Sequence, residues 1–262
     1  MPFQSADQVQ TTDKKQYHIG LKPGDLAPYI LLCGDPARVD KVASRLTETR
    51  PAIAHRDYRT VTGKYEGVPV SVMATGMGPD NTEIALVEIA QIIEKATLIR
   101  IGSCGGLQKG VELADLVIST GALRLENTTS FYVDEGFPAL AHHEVTHALI
   151  GAAKALKYPY HVGITATAPG FYAPQGRAVP KFTPRQADLP QKLEKMGVTN
   201  LEMEASALFV LSHLAGFRAG CVCAVYANRH ANRFIDEATM QKAESRCIET
   251  GLKAITTLAK ED

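Results

Sequence analysis

From Pro28 onward, short apolar runs alternate with stretches in which apolar positions recur at helical spacing. Tyr29 to Cys33 reads as a strand and Ala37 to Leu46 as the helix after it. Tyr58 to Tyr65 and Val68 to Ala74 alternate like a hairpin around Glu66-Gly67, and Asn81 to Lys95 has helical periodicity. Thr97 to Gly102, Leu116 to Thr120, His161 to Ala166 and Ala219 to Val225 read as further strands. His143 to Leu156, Met203 to Leu214 and Glu237 to Leu258 read as helices. With no internal repeat and no linker rich in Pro, Gly or Ser, this order predicts one α/β sandwich built on a mixed sheet. Arg124 to Ala141, Ala168 to Leu189 and Asn228 to Asp236 lack periodicity, and loops of that length usually carry function.

The strand Thr97 to Gly102 carries an arginine. Leu98, Ile99 and Ile101 suit a parallel strand covered on both faces, so Arg100 is costly there unless an anion or a carboxylate meets it. Gly102, Gly105 and Gly106 follow, and a glycine turn of that kind lets backbone N–H groups approach an anion. An arginine paired to a structural carboxylate above an ordinary turn is the alternative. Gly34-Asp35-Pro36-Ala37-Arg38 closes the first strand and opens a helix, which reads either as an anion site with Arg38 facing outward or as an Asp35 N-cap. Arg56 and Arg59 flank a second strand, and Gly76-Met77-Gly78-Pro79 makes another glycine turn before a helix. Glu202-Met203-Glu204 sets two carboxylates at a strand-to-helix passage, suited to paired sugar hydroxyls or to dipole capping. Gln175 and Arg177, behind Phe171-Tyr172, offer an amide and a guanidinium that can read a flat heterocycle.

Composition narrows the classes. Twenty-eight basic residues balance twenty-eight acidic ones, so no global field draws nucleic acid or an anionic membrane, and any anion site must be local. Neither a membrane span nor a secretory signal core is readable, which leads us to expect a cytoplasmic protein. Five cysteines without a C-x-x-C pair suit reduced, buried thiols, with Cys104 set apart by its place among the glycines. His143-Glu144-Val145-Thr146-His147 matches the H-E-x-x-H pattern of zinc proteases. No H-x-x-G-x-x-H follows, and no glutamate lies between Glu144 and Glu194 to complete the ligand set. The motif is expected to be a chance match, and no metal site is assigned.

In their order, GDPARV, HRDY, RIGSCGG, FYAPQGR and NLEMEASAL resemble the nucleoside phosphorylase superfamily of the hexameric type, from about His18 to the last helix. Gln175 and Arg177 resemble the mark of its uridine-cleaving branch. The resemblance implies a single-domain three-layer α/β/α sandwich with a central mixed sheet over residues 16–262, behind a flexible extension over residues 1–15. It implies uridine and inorganic phosphate as substrates, no cofactor, and a homo-oligomer, a hexamer built from dimers with shared active sites. Gly34, Arg38, Arg100 and Ser103 would bind phosphate, with Arg56 from a neighbouring subunit. Glu202, Met203 and Glu204 would hold ribose, and the neighbour's His18 the 5′-hydroxyl. Phe171, Gln175 and Arg177 would hold uracil, with Cys104 and Gly105 lining the pocket and Arg229 close behind. Arg38, Arg100, Gln175, Arg177 and Glu204 would carry the catalysis. Ser103-Cys104-Gly105 departs from the threonines usual in that branch and matches the purine-cleaving form. Yet Val225 to His230 lacks the aspartate that purine-cleaving relatives use to protonate the base. Tyr226 stands where a smaller aliphatic residue near the base is expected. A zinc hydrolase and a non-catalytic nucleoside-binding module are the other classes in view.

Overall fold

The computed structural model describes residues 7, 9–11 and 13–262. The extension expected over residues 1–15 lies in part outside the described residues. Within the described part, Gln10 and Gln16 form an isolated antiparallel bridge.

In chain order the elements are β1 (Tyr29–Cys33), α1 (Pro36–Ala43), β2 (Ile53–His55), β3 (Tyr58–Tyr65), β4 (Val68–Ala74), α2 (Pro79–Ala90), β5 (Thr97–Gly106), β6 (Leu116–Arg124), β7 (Ala139–Leu140), α3 (His143–Ala155), β8 (Tyr160–Thr167), α4 (Leu189–Lys195), β9 (Asn200–Glu202), α5 (Ala205–Leu214), β10 (Arg218–Asn228), β11 (Arg233–Phe234) and α6 (Glu237–Glu261). β1 lies between β4 and β5, parallel to both, and β5 is also parallel to β10. From β10 the sheet continues through β6, β8 and β9, and β9 returns antiparallel to β5, closing a ring of strands at one end of the sheet.

Period-two alternation divides the core. Tyr29, Leu31, Cys33, Ile99 and Ile101 face a layer made by α1, α3 and α6. Ile30, Leu32, Leu98 and Cys104 face the opposite layer, made by α2 and α5. The central strands are therefore apolar on both faces, as a helix-covered parallel sheet requires. Among the described residues, no helix is long and apolar enough to cross a membrane.

Several boundaries move from the sequence reading. β5 runs on through Gly106, where the sequence suggests a turn after Gly102: Gly102 pairs with Cys223, and Gly105 with both Ala227 and Leu201. These glycines serve close packing, because a Cβ at Gly106 would come within 2.6 Å of Val111. Hence the segment is ladder rather than a turn. α5 starts at Ala205, after Glu204, which the sequence reading places inside it, and α2 starts earlier, at Pro79, and stops at Ala90.

Gly251 on α6 lies over the sheet, where a Cβ would approach Ile101 to 2.7 Å and Leu31 to 3.2 Å. Alanine gains up to about 1 kcal/mol of helix propensity over glycine, while overpacking a filled core costs about 1–3 kcal/mol. Gly251→Ala is therefore expected to lower the unfolding free energy by about 1 kcal/mol. Urea denaturation checks this, and a gain in stability would show that the layer is loosely packed.

Candidate active site

A cleft of about 870 Å³ opens at the carboxyl ends of the central strands, the usual ligand position in parallel sheets. Gly34 after β1, Gly76 after β4, Ser103 in β5 and Tyr226 in β10 all reach it.

Arg100 lies at its centre. Alternation places Arg100, Gly102 and Cys104 on one face of β5, and the missing side chain at Gly102 makes room for the guanidinium. A Cβ there would come within 2.9 Å of both Arg100 Nη2 and Cys223 Sγ. Arg100 Nε donates to Glu202 Oε2 at 3.1 Å, and Nη2 forms an ion pair with Glu204 Oε2. Glu204 Oε1 accepts the Gly78 N–H at 2.7 Å, which ties the Gly76–Pro79 turn to the same group. Gly78 has φ of 99°, a conformation that favours glycine. Burial opposes the Arg100 charge, and Glu204, Cys223 and Glu202 outweigh it, so the guanidinium stays charged.

Glu202 is held differently. Its carboxylate accepts the backbone N–H groups of Glu204 and Ala205 at 2.8 and 2.9 Å and the Thr167 hydroxyl at 2.6 Å, capping the start of α5. Burial pushes this carboxyl up to about 7, with Arg100 and the Thr167 hydroxyl pulling the other way and Glu204 adding to the rise.

Arg38 occupies one end. Asp35 caps α1 by accepting the Ala37 N–H at 2.9 Å. The Arg38 side chain is buried, contrary to the outward orientation the sequence suggests: Nε donates to Glu244 Oε1 at 2.6 Å and Nη1 to the Ile101 carbonyl at 2.9 Å. A guanidinium in the first turn of α1, packed between β5 and α6, is stable there only with such partners.

At the other end, a single 3₁₀ turn at Ala173–Gln175 buries Gln175. Arg177 Nη1 donates to Gln175 Oε1 and to the Phe171 carbonyl, both at 2.6 Å, and the guanidinium lies 3.8 Å from the Phe171 ring centroid. Arg229 Nη2 donates to the Gln175 carbonyl at 3.2 Å, while its Nη1 is buried without a hydrogen-bond partner. Burial first and Arg229 second bring Arg177 down to about 10. Neither arginine has a carboxylate partner among the described residues.

These arginine ends and the central carboxylates lie on a chain whose residues 28–257 match the family described as the phosphorylase superfamily. The chain belongs to that superfamily. It is 50% identical to the uridine phosphorylase of Thermococcus kodakarensis, over 88% of this chain and 84% of the relative. It is 34% identical to the uridine phosphorylase of Escherichia coli, over 91% of this chain and 96% of the relative. A solved Trypanosoma brucei nucleoside phosphorylase, described as showing uridine phosphorylase activity, superposes with a TM-score of 0.89 at 28% identity, covering 96% of this chain and all of that one. The phosphorylase fold expected from sequence is the fold found.

Of the residues singled out in the sequence of this phosphorylase superfamily member, Gly34, Arg38, Arg56, Arg100, Ser103, Cys104, Gly105, Phe171, Gln175, Arg177, Glu202, Met203 and Glu204 line the cleft. Arg229 lies just behind it, with its side chain against Gly105. His18 lies outside: its backbone N–H and Nδ1 bond Glu88 of α2 at 3.0 and 2.7 Å. Arg56 is exposed on the rim, over the Tyr17 ring at 4.8 Å. All five cysteines are free and buried, and burial raises Cys104, which lines the cleft. Glu144 of the H-E-x-x-H segment accepts from Arg218 at 3.1 Å, on a helix of the layer opposite α5.

Tyr226 departs from expectation. The β5–β10 register shifts between Val225 and Ala227, so Tyr226 sits at an irregularity and its ring packs toward α6, beside Arg38 and Glu244 rather than the Gln175 end. Glu244 is the residue that sequence reasoning misses. It lies at helical spacing with Met240, Ala243, Cys247 and Ile248 on the buried stripe of α6, and a carboxylate on an apolar stripe was the available signal.

Because the folded-state pKa of Glu202 exceeds the ordinary carboxyl value of about 4.3, the folded state holds a proton that the unfolded state has lost. That contribution is complete below the unfolded value and disappears as pH rises through about 7. Glu202→Gln is expected to flatten the decline in unfolding free energy between about pH 5 and pH 8. Equal pH slopes for the variant and the parent protein would mean that Glu202 is ionised throughout.

Proposed function

We propose that this protein is a uridine phosphorylase, cleaving uridine reversibly with inorganic phosphate to uracil and ribose 1-phosphate. The observation that carries this reading is the pair Arg177 and Arg229, two cations without a carboxylate partner gathered around Gln175 at one end of the cleft. A leaving base acquires negative charge as the glycosidic bond lengthens, and donors already in place there stabilise the transition state more than the ground state. The cleft volume lies within the usual small-ligand range of about 300–1,000 Å³.

Phosphate would lie at the other end, on Arg38 and Arg100 with Ser103 and the backbone beside Gly34. Charge-assisted contacts to the nucleophile position it under the anomeric carbon and keep water from competing. Glu204 would take the 2′- and 3′-hydroxyls beside Met203, exchanging part of its hold on Arg100 as phosphate arrives. Glu202 supports the reading as the anchor of Arg100 and of the α5 terminus, because its oxygens are already engaged. No covalent enzyme intermediate and no cofactor is needed.

Uracil presents an imide N–H and a 4-oxygen, which the Gln175 carbonyl and Arg177 complement; cytosine offers neither in the right sense. Ser103-Cys104-Gly105 favours a second reading, a purine nucleoside substrate, but the Val225–His230 segment supplies no acid for a purine leaving group. For assembly, the reading is a homo-oligomer, a hexamer built from dimers, in the cytoplasm. Tyr17, His18, His55 and Arg56 form one surface cluster that begins at the rim of this chain's own cleft, with His55 Nδ1 2.8 Å from the His18 carbonyl, and in the oligomer this surface would reach a neighbour's cleft.

Base release from uridine, inosine and cytidine, each with and without phosphate in metal-free buffer, tests the reading. Phosphate-dependent release of uracil is expected, with cytidine discriminated against by roughly 10⁴. Hypoxanthine release at a comparable rate would transfer the assignment to purines, and phosphate-independent release would make the protein a hydrolase. Arg177→Ala is expected to lower kcat/KM for uridine by about 10²–10³-fold while calorimetry shows phosphate affinity unchanged.

A further inference from the structure

Arg38 is not a free anion ligand; it is held from two sides. Its Nε donates to Glu244 Oε1 on α6 at 2.6 Å, and its Nη1 donates to the Ile101 carbonyl on β5 at 2.9 Å. Lys41, one turn further along α1, forms an ion pair with the other Glu244 oxygen. The Tyr226 hydroxyl meets the same guanidinium from β10. Arg38 and Glu244 are only 7% and 6% exposed, so neither swings freely between rotamers. Two cations face one carboxylate here, which leaves this corner positive and leaves the remaining Arg38 donors for the cleft that it lines.

We propose that Glu244 is a positioning residue of the phosphate site, fixing the Arg38 guanidinium between α6 and β5 so that it meets inorganic phosphate in one orientation. This rests on the reading of the cleft as a phosphate-dependent nucleoside site. Glu244 touches neither substrate in that arrangement and acts only through Arg38. Two physical effects oppose each other at this position. As a nearby negative charge, Glu244 repels phosphate, so its neutralisation tightens binding if charge is all that matters. As a clamp, it confines a long side chain, so its removal loosens binding.

Glu244→Gln decides between them. Phosphate affinity is measured by calorimetry on the protein without nucleoside, and the two KM values and kcat are measured in turnover. The expected result is a rise of about tenfold in phosphate Kd and KM, with uridine KM and kcat at saturating phosphate within about twofold of the parent protein. The same substitution made on Arg38→Ala is expected to add nothing further to the phosphate Kd, since the clamp then has nothing to hold. If Glu244→Gln does not fold, Glu244→Asp keeps the charge and withdraws the carboxylate by one methylene, and is expected to raise the phosphate Kd several-fold. Unchanged or tighter phosphate binding in the variant that folds overturns the clamp, and so does an additive loss on Arg38→Ala. A parent protein that binds phosphate and needs it for turnover, with variants unaffected, overturns the clamp alone. A parent protein that binds no phosphate overturns the proposed function and the clamp with it.

Discussion

The buried contact of Arg100 with Glu202 and Glu204 is the interaction on which the site depends. A lone cation inside a parallel strand would lose several kcal/mol of hydration. Its presence therefore dictates what surrounds it: a glycine at 102 to admit the guanidinium, a strand-to-helix passage that delivers two carboxylates, and a second glycine turn whose Gly78 N–H holds one of them. One charge cluster thus joins β5, β9, α5 and the approach to α2. Unlike a surface salt bridge, it cannot lose one member cheaply, because each loss strands a buried charge.

The distribution of charge along the cleft follows a simple division. At the Arg38 end two cations, Arg38 and Lys41, share Glu244, in the middle Arg100 meets two carboxylates, and at the Gln175 end Arg177 and Arg229 have no carboxylate partner among the described residues. Burial pushes Glu202 toward its neutral form, which reduces the negative excess in the middle. A substrate that brings an anion to one end and sheds an anion at the other fits this arrangement, and phosphorolysis of a nucleoside has that form.

Much of this was legible in the chain. A charged residue in an apolar strand, a Gln-x-Arg pair in an aperiodic loop and a Glu-x-Glu at a helix entrance each announce a chemical need that packing alone does not create. The pairing between them was not legible, because Arg100 and Glu202 meet across 102 residues and periodicity carries no information about partners. Glycine misled in one place: it usually punctuates strands, and here Gly102 to Gly106 remain in the ladder because their small size admits Arg100, Val111 and Arg229. β9, at three residues, is too short to show alternation, and the face taken by Tyr226 depends on a local irregularity in register that no count of residues predicts. Glu244 stayed hidden for a related reason, since its meaning lies in what α6 packs against.

The closed circuit of strands β5, β10, β6, β8 and β9 has a bearing on how such a protein can change. Arg100, Ser103 and Glu202 belong to ladders within that circuit, so a slip at any one strand would have to be accommodated by its neighbours on both sides. Gln175 and Arg177 belong to a loop outside it and answer to no ladder. Substitutions, insertions and altered lengths can accumulate in that loop without touching the circuit. On the proposed assignment of the two ends of the cleft, new base preferences are accessible by small steps, whereas abandoning the phosphate and sugar end would require rebuilding the sheet.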